Sequence, residues 1–482
     1  MLNSRTIIRI FGFLLLIEGL FMWLSIPVAL IFGEGDSLHF LLAGAVTAAS
    51  GAAAILVTRK SALEINRRDG YVVVTGGWIL FSLFGTLPFI LTGSIEGFTD
   101  AFFETMSGFT TTGASILNNI EELSHGVLFW RSLTQWLGGM GIILLSLIIL
   151  PFLGIGGMQL FSAEVPGPTP DKLHPHVKDT AKRLWLIYMV FTISETLLLW
   201  AGEMGLFDAV CHSLTTMATG GYSTKQASIE YWDSPYIHYV ITFFMFLAGT
   251  NFTLSYFGMH GQFRKIWANE EFRWYVGFTG VFVLLIAGGL FFTTGQGLEV
   301  SFRNSLFQVV SILTTTGYAT VDYLKWAPWL GILILIVMFF GGSAGSTGGG
   351  PKIMRMVILL KNSTQELKRM IHPNAVIPVR LNNSAVEERV VTNVLAFLAF
   401  YAVIVVISIA VMSILGCDLD TSIGSVAASL GNIGPGIGEV GPAQNYHGIH
   451  CAGKWYLSFL MLVGRLELFT VLVLFSPFFW RR

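Results

Sequence analysis

Apolar residues in this chain come in long runs. Ten of them, near 7–32, 38–58, 71–92, 127–150, 184–203, 236–259, 274–293, 327–350, 390–415 and 455–479, approach or exceed the roughly 20 residues that a helix needs to cross a bilayer. The pattern predicts two leading spans, then four pairs. The connection inside each pair is no ordinary loop: it holds an apolar segment too short to span, then a stretch rich in Thr and Gly. The opening MLNSRTIIRIFGFLLLIEGLF starts like a signal peptide, but no small-residue cleavage site follows, which predicts a retained first span.

Composition agrees with membrane residence: 53% of the 482 residues are hydrophobic and 12% are charged, with mean hydropathy +0.68. A soluble protein of this length could not cover its core with so few charges. A net charge of -1 offers no electrostatic footprint for nucleic acid. Cys211, Cys417 and Cys451 have neither metal-ligand nor Cys-x-x-Cys spacing. Cys417 and Cys451 flank the connection inside the last pair of spans, and a bond between them is an expectation if that side is oxidising. No nucleotide fingerprint follows a strand and no nucleophile or metal constellation stands out, so neither a nucleotide site nor an enzyme is expected.

Lys and Arg set the orientation. Arg5 and Arg9, then Arg59, Lys60, Arg67 and Arg68, then Lys172, Lys178, Lys182 and Arg183, then Arg264 and Lys265, the segment 352–389, and Arg481 with Arg482 all fall on one side of ten threaded spans. Both termini are therefore expected in the cytoplasm, with the Thr/Gly stretches entering from outside.

Four windows align: DAFFETMSGFTTTG (Asp100 to Gly113), DAVCHSLTTMATGG (Asp208 to Gly221), NSLFQVVSILTTTG (Asn304 to Gly317) and TSIGSVAASLGNIG (Thr421 to Gly434). Each opens with an N-cap residue type and carries Phe109, Met217, Leu313 or Leu430 four residues before its last glycine. Such a window predicts a short helix that ends partway into the membrane, its negative C-terminal end facing inward. Glycine would let carbonyls point inward and threonine would add hydroxyl oxygens. Four such segments around an axis could replace the hydration shell of a monovalent cation. Polar outer loops closing helix hairpins are the plainer alternative, and fit one window better than four.

GGSAGSTGGGPK, Gly341 to Lys352, breaks the second span of the third pair, because each glycine costs about 1 kcal/mol relative to alanine in a helix. It reads either as a flexible span end or as a mobile loop lining a cavity under the windows. Arg465 lies in the last span, where a charge faces a cavity or a partner; Glu467, Glu195 or snorkelling are the structural alternatives. Glu18 and Glu195 are expected to be partnered groups. They are also the only support for a transporter coupling its ion to protons or sodium.

The four span–loop–span units behind two extra spans, with TTTGAS, ATGGYST, TTTGYAT and GNIGPG, resemble the TrkH/TrkG/KtrB potassium-translocating subunits of the Trk/Ktr/HKT superfamily. Length and the two leading spans favour the TrkH branch. The resemblance implies an all-α polytopic fold with ten transmembrane helices: 1–60 as the leading pair and pore units at 61–170, 171–262, 263–372 and 373–482. It also implies potassium uptake across a bacterial plasma membrane, the inner one in a Gram-negative cell. The selectivity filter would use Gly113, Gly221, Gly317 and Gly434, with Thr111, Thr112, Thr219, Gly220, Thr315, Thr316, Asn432 and Ile433 beside them. A gate would be formed by Gly341, Gly342, Gly345, Gly348, Gly349, Gly350 and Arg465. Potassium is the transported ion, and the implied partners are a second copy of the chain and a cytosolic nucleotide-binding ring of the TrkA/KtrA type. The fourth loop departs from the threonine pattern, and Pro435 follows its glycine.

Overall fold

The computed structural model describes residues 2–59, 66–144, 173–375, 377–382 and 384–481. Lys60, Lys172 and the end of the fourth expected span, 145–150, lie outside them. Among the described residues six helices are long and apolar enough to span: Ser4–Ile31, Ser37–Thr58, Arg67–Leu91, Lys182–Ala201, Glu270–Thr294 and Glu388–Ile414. Two further spans are bent pairs, Pro235–Ala248 with Phe252–Met259 at 113° and Cys451–Arg465 with Phe469–Phe475 at 111°. His125–Leu144 and the short apolar Pro328–Met338 complete the ten segments. Large apolar side chains such as Leu284, Phe292 and Ile414 are exposed on these helices, as expected where lipid is the solvent. A two-stranded hairpin, Arg380–Leu381 with Ser384–Ala385, is antiparallel.

The leading helices pack through small residues. A Cβ on Gly12 would stand 2.7 Å from Gly51 O, and one on Gly19 2.7 Å from Gly44 O, with close reciprocal distances. Backbones this close gain dispersion contacts, which matter most where lipid removes the hydrophobic drive. Their connecting loop docks on the first unit: Glu34 accepts from the N–H groups of His125 (2.8 Å) and Gly126 (3.2 Å) at the start of His125–Leu144. Burial works against ionisation of Glu34. Donation from His125 and Gly126 outweighs it, so the carboxyl is held below its usual range.

Four short helices follow the outer helix of each unit: Phe98–Phe109, Leu206–Met217, Leu298–Leu313 and Leu419–Gly431. After each comes an irregular loop, a single 3₁₀ turn and an inner helix. The expected N-caps are displaced. Gly97, Gly205 and Gly297 cap the first three, placing Asp100 and Asp208 in the first turn and Asn304 well inside; Asp418 caps the fourth and accepts from Thr421 N–H. An acidic first turn still complements the helix dipole.

Contacts tie the units in a cycle. Arg131 donates to Ser223 O (2.8 Å), Tyr318 Oη to His212 O (3.1 Å) and Tyr323 Oη to Gly436 O (2.7 Å). Lys454 pairs with Asp100 (2.7 Å), joining the fourth unit to the first.

Three expectations need correction. The span 236–259 is not continuous: it breaks after Ala248, where Asn251 caps the next helix by accepting from Thr253 N–H. The span 455–479 breaks after Arg465, with Glu467 and Leu468 in the left-handed region. Cys417 and Cys451 are free thiols, one partly packed into the core and the other exposed at a helix start, so the bond between them is not formed.

Candidate functional site

Each pore helix ends in the same way. Thr111, Thr219, Thr315 and Asn432 take left-handed φ of 52°, 53°, 60° and 54°. The next residue's N–H reaches back five positions: Thr112 to Ser107 O, Gly220 to Thr215 O, Thr316 to Ser311 O, Ile433 to Ala428 O, at 2.8–2.9 Å. This is the Schellman C-cap, which usually employs glycine or asparagine at the left-handed position. Asn432 fits it readily. The three threonines are β-branched and pay strain there, so the fourth loop departs from the pattern toward the less strained residue.

Two residues after the left-handed position comes the glycine. Gly113, Gly221, Gly317 and Gly434 also have positive φ, from 74° to 96°. Space forbids a side chain as well. A Cβ on Gly113 would stand 2.1 Å from Gly220 O, on Gly221 1.9 Å from Thr316 O, on Gly317 1.8 Å from Ile433 O, and on Gly434 2.9 Å from Thr112 O. Each glycine thus leans on the carbonyl of the next loop, and the fourth leans on the first. The cycle closes into one ring, with four backbone carbonyls held beside four glycines and four helix C-termini leading to it.

Most of the threonine hydroxyls beside the ring are hydrogen-bonded, whereas Thr111 Oγ1 is buried without a hydrogen-bond partner among the described residues. Thr112 and Thr316 bond Thr110 and Thr314 of their own loops, both at 2.8 Å. Thr219 Oγ1 donates to Ala218 O, and Thr315 Oγ1 accepts from Gly349 N–H at 2.7 Å. Asn432 Nδ2 donates to Thr112 Oγ1 (3.0 Å) and Met461 O (2.9 Å). A cavity of about 80 Å³ is lined by all four glycines together with Arg131 and Lys225.

The broken helix lies against the ends of the pore helices, beside the ring. Between Met338 and Ile353 the chain runs as a loop. A Cβ on Gly348 would stand 3.0 Å from Thr314 O, and one on Gly349 2.7 Å from Asn432 Cβ. Ser343 N–H donates to Gly249 O (2.9 Å), Phe252 N–H to Gly345 O (3.2 Å) and Thr347 Oγ1 to Met217 O (3.0 Å). Gly341 and Gly342 close on Pro351 O and Gly249 O, and Gly350 has left-handed φ. Two broken helices therefore interlock, with the loop nested in the break at Gly249–Asn251. Arg465, 2% exposed, donates from Nη1 to Thr347 O (2.7 Å) and from Nη2 to Gly138 O (3.3 Å). Glu467 pairs instead with Arg355 (2.5 Å), so the alternative of an Arg465–Glu467 pair is not realised. Lys352 Nζ donates to Gly348 O (2.7 Å).

Sequence reasoning missed one buried pair beside the ring. Glu104, on the first pore helix, bonds Arg131 Nε at 2.7 Å with both side chains almost wholly buried. It also accepts from Ser115 Oγ and Ile116 N–H, while Tyr222 Oη donates to Glu104 O and the Tyr222 ring lies 3.6 Å under the Arg131 guanidinium. A charge in each of two apolar segments was the available signal. Removing one partner strands the other, so Glu104→Ala should cost about 3–5 kcal/mol. Thermal unfolding in detergent checks it: Glu104→Ala should melt far below wild type and Glu104→Leu/Arg131→Met less so.

Ten helical segments, four of whose connections dive back to one carbonyl ring, define a polytopic membrane protein with a pseudo-fourfold central pathway. The chain belongs to the TrkH family of cation transport proteins, whose model matches residues 37–482. It is 42% identical to the Trk system potassium uptake protein TrkH of Escherichia coli K12 over the full length of both chains. It is 35% identical to TrkG of the same organism over 99% of each. The crystal structure of the potassium transporter TrkH from Vibrio parahaemolyticus superposes with a TM-score of 0.92 at 38% identity, covering all of both chains.

Proposed function

We propose that this protein takes up potassium through a selectivity filter made by the four pore loops, as a transport protein and not an enzyme, in the bacterial inner membrane. The observation that carries the reading is the closed cycle in which each filter glycine abuts the next loop's carbonyl. Carbonyl oxygens gathered with their negative ends together repel one another, and a dehydrated monovalent cation between them relieves that repulsion. The names of the relatives, potassium uptake proteins, agree.

In this reading both termini are cytoplasmic and the loop over Gly341–Gly350, with Arg465, obstructs the pathway under the filter. The helix Ile353–Ile371 begins directly after Lys352, so a pull on it reaches the obstruction. Its Leu367, Met370 and Ile371 are exposed, while Lys361 and Arg369 are engaged by Glu270 and Glu366. We assign to this helix the contact with a cytosolic TrkA/KtrA-type nucleotide-binding ring, in a homodimer with one pore per protomer. A coupled symporter is the second reading. It is favoured by Glu18, buried with neither carboxylate oxygen hydrogen-bonded, and by Glu195, buried beside the Thr216 hydroxyl.

Reversal potentials of the purified protein in planar bilayers under potassium, rubidium and sodium gradients test the filter. Potentials tracking potassium support it, and equal permeability to sodium overturns it. Proton or sodium flux in fixed ratio to potassium would select the symporter.

A further inference from the structure

The second loop carries glycine, Gly220, where the first and third carry Thr112 and Thr316, and the inner helix of the first unit supplies the reason. Gln135, in His125–Leu144 and fully buried, donates from Nε2 to Gly220 O at 2.7 Å and accepts from Tyr222 N–H at 3.0 Å. A backbone N–H can only donate, so Oε1 must face Tyr222 and Nε2 must face the carbonyl. A Cβ on Gly220 would stand 2.4 Å from Gln135 Cδ. The amide therefore fills the volume that a threonine side chain takes in the first and third loops. Those loops brace themselves by a Thr–Thr hydroxyl bond; the second is braced from outside.

Gly220 O is also the ring carbonyl against Gly113. Among the described residues it alone of the four ring carbonyls, those of Thr112, Gly220, Thr316 and Ile433, already receives a hydrogen bond. We propose that Gln135 is a specificity-determining positioning residue: it fixes the Gly220 carbonyl and draws on its lone pair, so the ring offers a cation three free carbonyls and one weaker one. A weaker oxygen field disfavours the smaller, more strongly hydrated sodium ion relative to potassium. The inference rests on the filter reading above.

The test uses full-length protein carrying Gln135→Leu or Gln135→Met, with Gly113→Ser alongside, and reads potassium-to-sodium permeability from reversal potentials in planar bilayers. Methionine keeps the length and nearly the volume of the side chain but has no donor for Gly220 O and only a weak sulfur acceptor for Tyr222 N–H; leucine loses both bonds. Both variants should lower the ratio about threefold or more, the size expected of one net hydrogen bond. The methionine variant carries the test if the leucine variant does not fold. A purely structural role would lower expression or thermal stability at an unchanged permeability ratio, and that outcome overturns the proposal. If Gly113→Ser shifts the ratio and the Gln135 variants do not, the proposal fails while the filter stands. If Gly113→Ser also leaves the ratio unchanged, the filter reading has failed first.

Discussion

Gly317→Ser should reduce potassium preference by about tenfold or more, and Gly434→Ser should be the mildest of the four ring-glycine substitutions. A tenfold loss is only ~1.4 kcal/mol of differential binding, and the geometry threatens more. At Gly317 φ is +84°, a region that costs an L-residue roughly 1–2 kcal/mol. Its Cβ would also start 1.8 Å from Ile433 O. That carbonyl must retreat to beyond 3.0 Å, which removes it from its place in the ring. Gly221 and Gly113 face nearly the same overlap, at 1.9 and 2.1 Å. Gly434 meets Thr112 O at 2.9 Å, so a small shift accommodates serine there and the backbone strain dominates. Reversal potentials of the four variants give the ranking. A Gly317→Ser protein that expresses normally with wild-type selectivity would place the ring elsewhere.

The repeated windows make the pore loops legible in the sequence, because four copies of one cap geometry demand the same residues at the same spacing. The left-handed position and the glycine two residues on are local backbone requirements, and local requirements are written in sequence. The partners of the hydroxyls were not legible, for the opposite reason. Composition shows a threonine as a possible oxygen ligand, but the bonds of Thr112 and Thr316 within their own loops are set by neighbours. The broken helices divide along the same line. Six glycines in ten residues announce the break at Gly341–Gly350, whereas the breaks at Gly249–Asn251 and after Arg465 need only a cap or two left-handed residues. They stayed hidden inside apolar runs. Glu104 with Arg131 and Gln135 with Gly220 could not be paired from sequence, since 27 and 85 residues separate them. Only the cycle of units brings the second pair together.

Arg465→Met should raise basal potassium flux by about tenfold, and shortening Gly341–Gly350 by several residues should raise it too. Two effects act in the same direction. The guanidinium holds Thr347 O at 2.7 Å and Gly138 O at 3.3 Å, fastening the loop to the inner helices of the first and fourth units. Methionine fills similar volume without those bonds, each net worth about 0.5–1.5 kcal/mol. The second effect is the charge. Among the described residues Arg465 has no carboxylate partner, since Glu467 is taken by Arg355. A cation passing at about 8 Å would meet roughly 2 kcal/mol of repulsion at an effective dielectric of 20. Losing both terms lowers the barrier by more than the ~1.4 kcal/mol that tenfold requires. Arg465→Lys keeps the charge but loses the two-carbonyl fork, so its flux should fall between wild type and Arg465→Met, separating tether from repulsion. Flux into proteoliposomes without any cytosolic partner is the measurement. Lower flux from a folded Arg465→Met protein or a folded loop deletion would mean that these groups conduct potassium and do not obstruct it.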